Sequence, residues 1–425
     1  PNGSAAIFCG QKAAVNRIAR RAAEIFDRKA PLSKPRHSGN REQIKKLARL
    51  ARKNLGSDSD LAKAGKLGLF YHHGNTPHGL RLAIEHAMKH DHARLVVCTS
   101  TLAQGVNFPI KYLIVTGTQQ GQEQIKVRDF HNLVGRAGRS GMYTEGSIIF
   151  SDPAIYDSKS TDAEEWNAAK DLLNPHNSEP TRSSILDIFQ SYDQRGPFVS
   201  ITFPSNWFDL AFASADDIES LTLAVKERFP KVDPARLRPF ITARARAVQS
   251  IASYLVSYVD FDSDLAGERV DELAANTLAH HLSDEATRAK LIAVFRGVSK
   301  SIEENGDPAI RTLIRKSPLP AAQILDLRDW IASDLAAIQR AVDEGRLAEF
   351  VYAKVAPHLA ETKSVRAISD KTAVLSALLT WIGGESFGEI RAQLVAAGVK
   401  FSTHNTTIEH VVGLCEGTFG YDLAM

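Results

Sequence analysis

Short apolar runs alternate with amphipathic stretches over the first 150 residues, and this alternation limits the possible folds more than any other feature. After the first run, Val15, Ile18, Ala22 and Phe26 recur at the spacing of a helix face. The five apolar runs are Ala5–Cys9, Leu67–Tyr71, Arg94–Cys98, Lys111–Gly117 and Gly146–Phe150. Strands that alternate with helices predict a parallel sheet with helices on both faces, which is an α/β fold.

The rest of the chain has a different pattern. Residues 152–180 are polar and irregular, and residues 182–425 are nearly continuous in helical spacing, with one strand-like run at Phe198–Phe203. The predicted helices are Asp216–Phe229, Ala235–Val259, Glu268–Leu282, Glu285–Glu303, Ala321–Asp343 and Lys371–Ile382. We therefore predict two parts, an α/β lobe at 1–151 and a mostly helical accessory region at 152–425.

Charge divides the chain in the same place. Residues 1–150 hold 24 Lys and Arg against 10 Asp and Glu, a net charge of +14, which leaves −11 for the remainder. A basic lobe beside an acidic region indicates that the lobe faces a polyanion such as nucleic acid. The basic helix predicted at Arg41–Leu55 has two interpretations, a solvated surface or a contact with a phosphate backbone.

The apolar runs, the cysteines and the first residues of the chain limit the class of protein further. The longest apolar run is shorter than the roughly 18 residues of a membrane span, so no membrane partner is expected. Cys9, Cys98 and Cys415 are scattered, which favours buried thiols over a disulfide or metal role and predicts a cytoplasmic protein. The chain opens at Pro1 without a methionine or signal peptide, so we expect an excised part of a longer protein.

One polar stretch, Thr99–Pro109, follows a buried strand and has the sequence TSTLAQGVNFP. The ends of parallel strands are where open α/β sheets bind ligands. Thr99, Ser100 and Thr101 offer hydroxyl and N–H groups that suit a phosphate. Gly105 permits close approach of the backbone, and Asn107 can donate to or accept from a ribose hydroxyl.

A second stretch, Asn132–Arg139, has the sequence NLVGRAGR. Arg136 and Arg139 are three residues apart, so they lie on one face if the segment is helical. Paired guanidinium groups suit the charge on a transferring phosphoryl group.

These two stretches, in this order and about thirty residues apart, resemble motifs V and VI of superfamily 2 helicases, most closely the superkiller-like branch. The resemblance covers about residues 4–151 and implies a second RecA-like lobe. It implies that Thr99, Ser100 and Thr101 contact nucleic acid and that Gly105 and Asn107 face ATP. It also implies that Arg136 and Arg139 reach the γ-phosphate.

The resemblance assigns further residues. Asn132 stands where the family usually has Gln, and its predicted role is a contact with ATP. Gln11 lies at the end of the motif IV strand, where it is either a contact with nucleic acid or an exposed turn residue. His73 belongs to the histidine pair that follows a similar strand in the family, where its expected role is structural or a contact with nucleic acid, and no metal site is expected.

The chain contains no Gly-x-x-x-x-Gly-Lys-Ser/Thr phosphate loop. We therefore expect Mg²⁺ and most of ATP to be held by a preceding RecA-like lobe of the same protein, and this chain alone to be inactive. For the helical region we expect winged-helix and ratchet-like elements, a path for single-stranded or duplex nucleic acid, and contacts to protein partners. Arg238, Arg244 and Arg246 are candidates to line that path.

Two other functions fit the same residues. One is a non-catalytic nucleic-acid-binding or scaffold module that has kept the lobe's fold. The other is a motor that moves along duplex without separating its strands. The four intact residues Gly105, Asn107, Arg136 and Arg139 favour an ATP-dependent helicase.

Overall fold

The structure is a computed structural model that describes residues 3–28, 33–100, 110–121, 123–137, 145–196, 198–203, 208–261, 266–317, 319, 321–360 and 362–422. The strands are β1 (Ala5–Phe8), β2 (Phe70–His72), β3 (Leu95–Cys98), β4 (Tyr112–Val115), β5 (Gln119–Gln120), β6 (Glu123–Gln124), β7 (Ser147–Phe150), β8 (Tyr192–Gln194), β9 (Val199–Ile201), β10 (Lys400–Phe401) and β11 (His404–Asn405).

The helices are α1 (Lys12–Asp27), α2 (Arg41–Leu55), α3 (Asp60–Gly65), α4 (His78–Lys89), α5 (Val127–Val134), α6 (Ala154–Asp157), α7 (Glu164–Leu173), α8 (Ala215–Arg228), α9 (Pro234–Tyr258), α10 (Ala266–Ala275), α11 (Leu278–His281), α12 (Glu285–Asn305), α13 (Pro308–Lys316), α14 (Ala321–Asp343), α15 (Leu347–Ala360), α16 (Lys363–Ala367), α17 (Thr372–Ile382), α18 (Phe387–Ala396) and α19 (Ile408–Val412). A π-helix, Gly413–Asp422, follows α19.

A five-stranded parallel sheet forms the centre of the first part of the chain, in the order β2-β3-β1-β4-β7. Ala5 of β1 pairs with Leu95 on one side and with Tyr112 on the other. Phe8, Val97 and Leu113 are buried in the same core. The structure confirms the predicted α/β fold, because short apolar runs bury best when both faces of a sheet are covered.

Helix α2 has the bounds that its sequence pattern predicts. The Asn40 side chain accepts hydrogen bonds from the N–H groups of Glu42 and Gln43, and this capping starts the helix. Its apolar face, with Ile44 and Leu47, is buried. Gly56 follows the last turn with a φ of 88°, a conformation that glycine adopts readily.

Several elements differ from the predictions. Residues predicted as a loop between β4 and α5 contain the β5–β6 hairpin, and β8, β10 and β11 occur where helix was predicted. The single helix predicted at Glu268–Leu282 is two, because the Thr277 side chain accepts from the N–H of His280 and starts α11. Strands of two or three residues are too short to show a period of two in sequence.

The contacts divide the chain into two units, residues within 1–179 together with 348–424, and residues 180–347. This grouping differs from the division predicted at residue 151. In the first unit, Val412 is buried in the core of the sheet, and Phe387 and Ile408 pack against that core. Arg391 forms an ion pair with Asp58 at 2.8 Å.

The last part of the first unit has a compact arrangement of its own. Ile368, just after α16, pairs antiparallel with Phe401 of β10. Helices α17 and α18 lie between them in sequence, and β10 pairs with β11. The order is therefore one helix, a single-residue bridge, two helices and a two-stranded antiparallel sheet.

The three cysteines are free and buried, as predicted. Burial raises the pKa of the Cys9 thiol to about 11 and that of Cys415 to about 12. Among the described residues no helix is both long and apolar enough to cross a membrane.

Candidate functional site

Four predicted site residues lie together at the carboxyl edge of the parallel sheet. Gln11 follows β1, His73 follows β2, and Thr99 and Ser100 follow β3. The Thr99 N–H donates to the carbonyl of His72 at 3.2 Å, which joins the ends of two of these strands. Parallel strands bring these residues to one edge because all their carboxyl ends point the same way.

The β5–β6 hairpin, which the sequence did not reveal, holds this edge together. The Gln11 side chain donates to the carbonyl of Gly121 at 2.9 Å. Gln120 donates from its side chain to the Ser100 hydroxyl at 3.1 Å. A cavity of about 410 Å³ lies beside the hairpin and is lined by polar residues that include Gln11, Arg17 and Thr118.

His73 is a buried member of this edge. The Asn75 N–H donates to its Nδ1 at 3.1 Å, so Nε2 carries the ring proton and donates to the Asn16 Oδ1 at 3.0 Å. The ring also stacks on Tyr71, with centroids 5.1 Å apart. Both ring nitrogens are engaged inside the protein, which favours the structural role for His73 over a contact with nucleic acid.

We expect His73 to make stability pH-dependent. Burial lowers its pKa to about 4, and the positive charge of Lys12 adds to this effect. An unfolded histidine titrates near 6.5, so between these values only the unfolded state takes up the proton. Stability of the first unit should therefore fall as pH drops through this range, by up to about 1.4 kcal/mol per pH unit.

Urea unfolding between neutral and acidic pH measures this slope. The His73→Gln variant should lose this share of the pH dependence, whereas a change at the exposed His176 should keep it. Equal slopes for the parent and His73→Gln would contradict the burial argument.

A basic group that sequence reasoning missed borders the same edge. The Lys12 ammonium donates to the Asn75 Oδ1 at 2.6 Å. Its pKa is lowered by desolvation and then by the charges of Lys363 and Arg81. The position of Lys12 at the start of α1, directly after a strand, is a signal that could have identified it. Lys363 is remote in sequence, and no local pattern points to it.

The C-terminal segment of the first unit reaches this edge. Asn16, which accepts from His73, donates to the Glu409 carboxylate at 3.2 Å. Both carboxylate oxygens of Glu416 accept from the N–H of His78, at the start of α4, at 2.7 and 3.0 Å. A carboxylate at a helix N-terminus is favourable because the first N–H groups of a helix lack partners within it.

Asn132 and Arg136 lie elsewhere. Helix α5 buries Phe130 and Leu133 and leaves Asn132 exposed. The carbonyl of Arg136, just past the helix, accepts from the N–H of Ile110 at 3.3 Å. Ile110 precedes β4, so Arg136 lies at the amino end of that strand, opposite to the edge that carries Thr99.

Helix α5 is anchored at its start by a carboxylate from far along the chain. The Glu179 side chain accepts from the N–H groups of Val127 and Arg128 at 3.0 and 3.1 Å. Phe130 stacks on Phe150 of β7, with centroids 6.3 Å apart. These contacts fix the helix that leads to Arg136.

Four predicted site residues lie outside the described residues: Thr101, Gly105, Asn107 and Arg139. In the part of the chain that the structure describes, no group of His, Cys, Asp and Glu is arranged to hold a metal ion.

The second unit corrects one expectation about the nucleic-acid path. Arg244 is 1% exposed, and its guanidinium lies over the rings of Phe203 and Phe240 at 5.5 and 4.5 Å from their centroids. It donates to the carbonyl of Ile188. Arg244 is thus part of the core of this unit and lines no open path, whereas Arg238 and Arg246 are exposed.

Comparison with known proteins agrees with the motifs and the sheet. The family described as helicase conserved C-terminal domain matches residues 38–141. Hachiman protein HamB of Bacillus cereus is 33% identical over 150 residues, which are 35% of this chain and 13% of that protein. Human Helicase POLQ-like is 30% identical over 149 residues, again 35% of this chain and 13% of the relative.

A longer match reaches past the lobe. ATP-dependent DNA helicase Hel308 of Aeropyrum pernix is 24% identical over 309 residues, 67% of this chain and 38% of that protein. The chain therefore spans well under half the length of each of these relatives. Residues 38–141 thus carry a helicase conserved C-terminal domain, and motifs V and VI, the parallel sheet and these matches together support a C-terminal portion of a superfamily 2 helicase.

Proposed function

We propose that the chain is part of an ATP-dependent nucleic-acid helicase and supplies half of the ATP site and part of the nucleic-acid path. One observation carries the proposal: the predicted residues that the structure describes separate onto two edges of the sheet. Gln11, Thr99 and Ser100 lie at the carboxyl edge, whereas the arginine segment of Arg136 lies at the amino end of β4. Separate surfaces allow one lobe to hold nucleic acid while it contacts nucleotide.

The arginine segment suits a phosphate group. Arg136 and Arg139 would stabilise the charge on a phosphoryl group, while Asn132, Gly105 and Asn107 would complete the nucleotide contacts by resemblance. Guanidinium groups are cationic and do not bind Mg²⁺, which prefers carboxylate and phosphate oxygens, so the metal and the β-phosphate would be held by a preceding lobe. When bound there, ATP supplies the phosphoryl group that is transferred to water.

The nucleic-acid edge would bind phosphates through Thr99, Ser100 and Thr101, with Gln11 beside them. Thr99 is 7% exposed and its N–H already donates to the carbonyl of His72, so this residue is held firmly at the edge of the sheet. His73 and Asn16, whose side chains are hydrogen-bonded to each other, would hold the strand ends in place. The relatives named as DNA helicases favour DNA as the polymer.

For the helical part of the first unit we propose a winged helix at residues 348–405, because the order of its elements ends in the β10–β11 pair of strands. The 309-residue match to Hel308 is longer than the 151-residue lobe, which supports an accessory region of the same type. The ratchet-like element predicted within 152–425 stays a prediction for the second unit, with exposed Arg238 and Arg246 as its candidate contacts.

Two measurements on the 425-residue chain test the proposal, DNA binding and ATP hydrolysis. It should bind single-stranded DNA with a log affinity that falls nearly linearly with log salt, at a slope of about −0.7 per phosphate contacted. It should hydrolyse no ATP above background, because the residues expected to hold Mg²⁺ are not in its sequence. An affinity for single-stranded DNA that does not change with salt concentration would contradict the proposed nucleic-acid path. Robust ATP turnover by this chain would contradict the proposed half of an ATP site.

A further inference from the structure

A basic groove runs along α2 on a part of the lobe that the proposed site does not use. It has a volume of about 610 Å³ and a floor that includes Ile44 and Ala48. Six cationic side chains line it: Arg36, Arg41, Lys45, Arg49, Arg52 and Lys66. We call this feature the basic groove.

The charge of the basic groove is uncompensated. All six cations are exposed, and none forms an ion pair with a carboxylate within the described residues. On the same helix but outside the groove, Lys46 does pair with Glu42, at 3.0 Å. A concave surface lined by one sign of charge concentrates the electrostatic potential and attracts a ligand of opposite sign.

The spacing of the cations suits a polymer of phosphates. Arg41, Lys45 and Arg49 are four residues apart on α2, so they form a row with steps of about 6 Å, at about 1.5 Å per residue. One strand of a duplex places a phosphate about every 3.4 Å along its axis. The row of about 12 Å would therefore face three to four phosphates of one strand.

The lining favours a duplex over a single strand. Among the residues that the structure describes, no Phe, Tyr or Trp lines the basic groove. Sites for single strands generally include aromatic side chains on which unpaired bases stack. In a duplex the bases already stack on one another, so contacts to the backbone alone are sufficient.

The groove also lies apart from the proposed path. The Arg36 N–H donates to the carbonyl of Leu67 at 2.8 Å, and the Asn40 N–H donates to the carbonyl of His92 at 2.9 Å. Leu67 precedes β2 and His92 precedes β3, so the start of the groove is near the amino ends of these strands. Thr99, Ser100 and Gln11 lie at the opposite edge.

We propose that the basic groove binds the phosphate backbone of a nucleic-acid duplex, as a second contact separate from the strand held at the carboxyl edge. The inference rests on the proposed function in one respect, that the ligand is a nucleic acid. It needs neither ATP nor the motif VI arginines.

The test compares two triple variants of the 425-residue chain. R41Q/K45Q/R49Q removes three groove cations, and K46Q/K53Q/K63Q removes three exposed lysines of the same region that do not line the groove. Gln has nearly the helix propensity of Lys and Arg, so α2 should stay folded, which circular dichroism checks. Binding of a blunt-ended DNA duplex and of oligothymidine is followed by fluorescence anisotropy over a range of salt.

We expect the groove variant to bind duplex at least tenfold more weakly at low salt, with a salt slope shallower by about 2.7 for three lost contacts. Its binding of oligothymidine should change less, and the control variant should resemble the parent. Equal losses in both variants, an unchanged duplex slope, or a larger loss for oligothymidine would overturn the proposal. If polyglutamate of equal total charge displaced the duplex from the parent chain, the proposal would be overturned in favour of an acidic protein ligand.

These outcomes are separable from failure of the proposed function. If oligothymidine binding persists while duplex binding is unaffected by the groove variant, only the groove proposal fails. If the parent chain binds neither duplex nor oligothymidine, both the groove proposal and the proposed nucleic-acid role of the lobe fail.

Discussion

Replacing Arg139 with alanine in a protein that contains both helicase lobes is expected to lower kcat for ATP hydrolysis by at least about 100-fold. The proposed task of Arg139 is to meet charge that develops on the transferring phosphoryl group, so its loss should affect the transition state more than binding. Folding and affinity for nucleic acid should stay near those of the parent. Steady-state ATPase kinetics and anisotropy with oligothymidine measure the two properties.

Two related changes sharpen this prediction. Arg139→Lys should recover little activity, because an ammonium lacks the planar fork that can contact two phosphate oxygens. Arg136→Ala should also lower kcat, with a larger effect on ATP affinity if Arg136 contacts the phosphate before reaction. The N–H of Ile110 donates to the main-chain carbonyl of Arg136, and this bond is kept when the side chain is changed to alanine.

Arg94→Ala is the matched control, because Arg94 lies outside both motifs and pairs with its near neighbour Asp91 at 3.6 Å. It should change kcat little. Parent-like ATP turnover by Arg139→Ala, together with normal unwinding, would refute the motif VI assignment and favour the scaffold function.

Replacing Gly10 with alanine is expected to destabilise the first unit by about 3 kcal/mol, at the upper end of the usual range for overpacking. A Cβ on Gly10 would lie 1.8 Å from the carbonyl oxygen of Gln119, which is a backbone atom of the β5–β6 hairpin. The hairpin must move away, and its bonds to Gln11 and Ser100 would then lengthen or break. Urea unfolding followed by circular dichroism should show the loss.

Gly117→Ala provides the control in the same cavity. A Cβ there meets no atom within 4 Å, so we expect a change within about 0.5 kcal/mol. If Gly10→Ala were as stable as Gly117→Ala, the close approach of the hairpin to β1 would be wrong. Weaker binding of oligothymidine by Gly10→Ala alone would link the hairpin to the nucleic-acid edge.

The sequence by itself determined the elements whose signals are local. Helix α2 has the predicted bounds because both of its signals, the apolar spacing and the Asn40 cap, lie within the helix or next to it in sequence. The five strands of the parallel sheet were likewise predicted, since each is an apolar run bounded by polar or glycine residues. Motifs V and VI are contiguous strings, so they identified the family before any fold was known.

Only the tertiary structure decided where the predicted site residues lie relative to the sheet. It placed Thr99 at the carboxyl edge and Arg136 at the amino end of β4, a separation that depends on how the chain crosses between strands. It also showed that His73 and Arg244 are buried, because burial depends on Tyr71, Phe203 and Phe240 folding around them. Polar residues carry no local mark that distinguishes an interior position from a surface one.

The packing of the C-terminal part of the first unit against the parallel sheet could not be predicted from local sequence patterns either. Glu409 bonds to Asn16, and Arg391 pairs with Asp58, across more than 300 residues of sequence. Such contacts follow from the free energy of burying Val412 and its neighbours in a core built by distant strands. Periodicity reports which face of a helix is apolar, but the surface that covers this face is set by the whole chain.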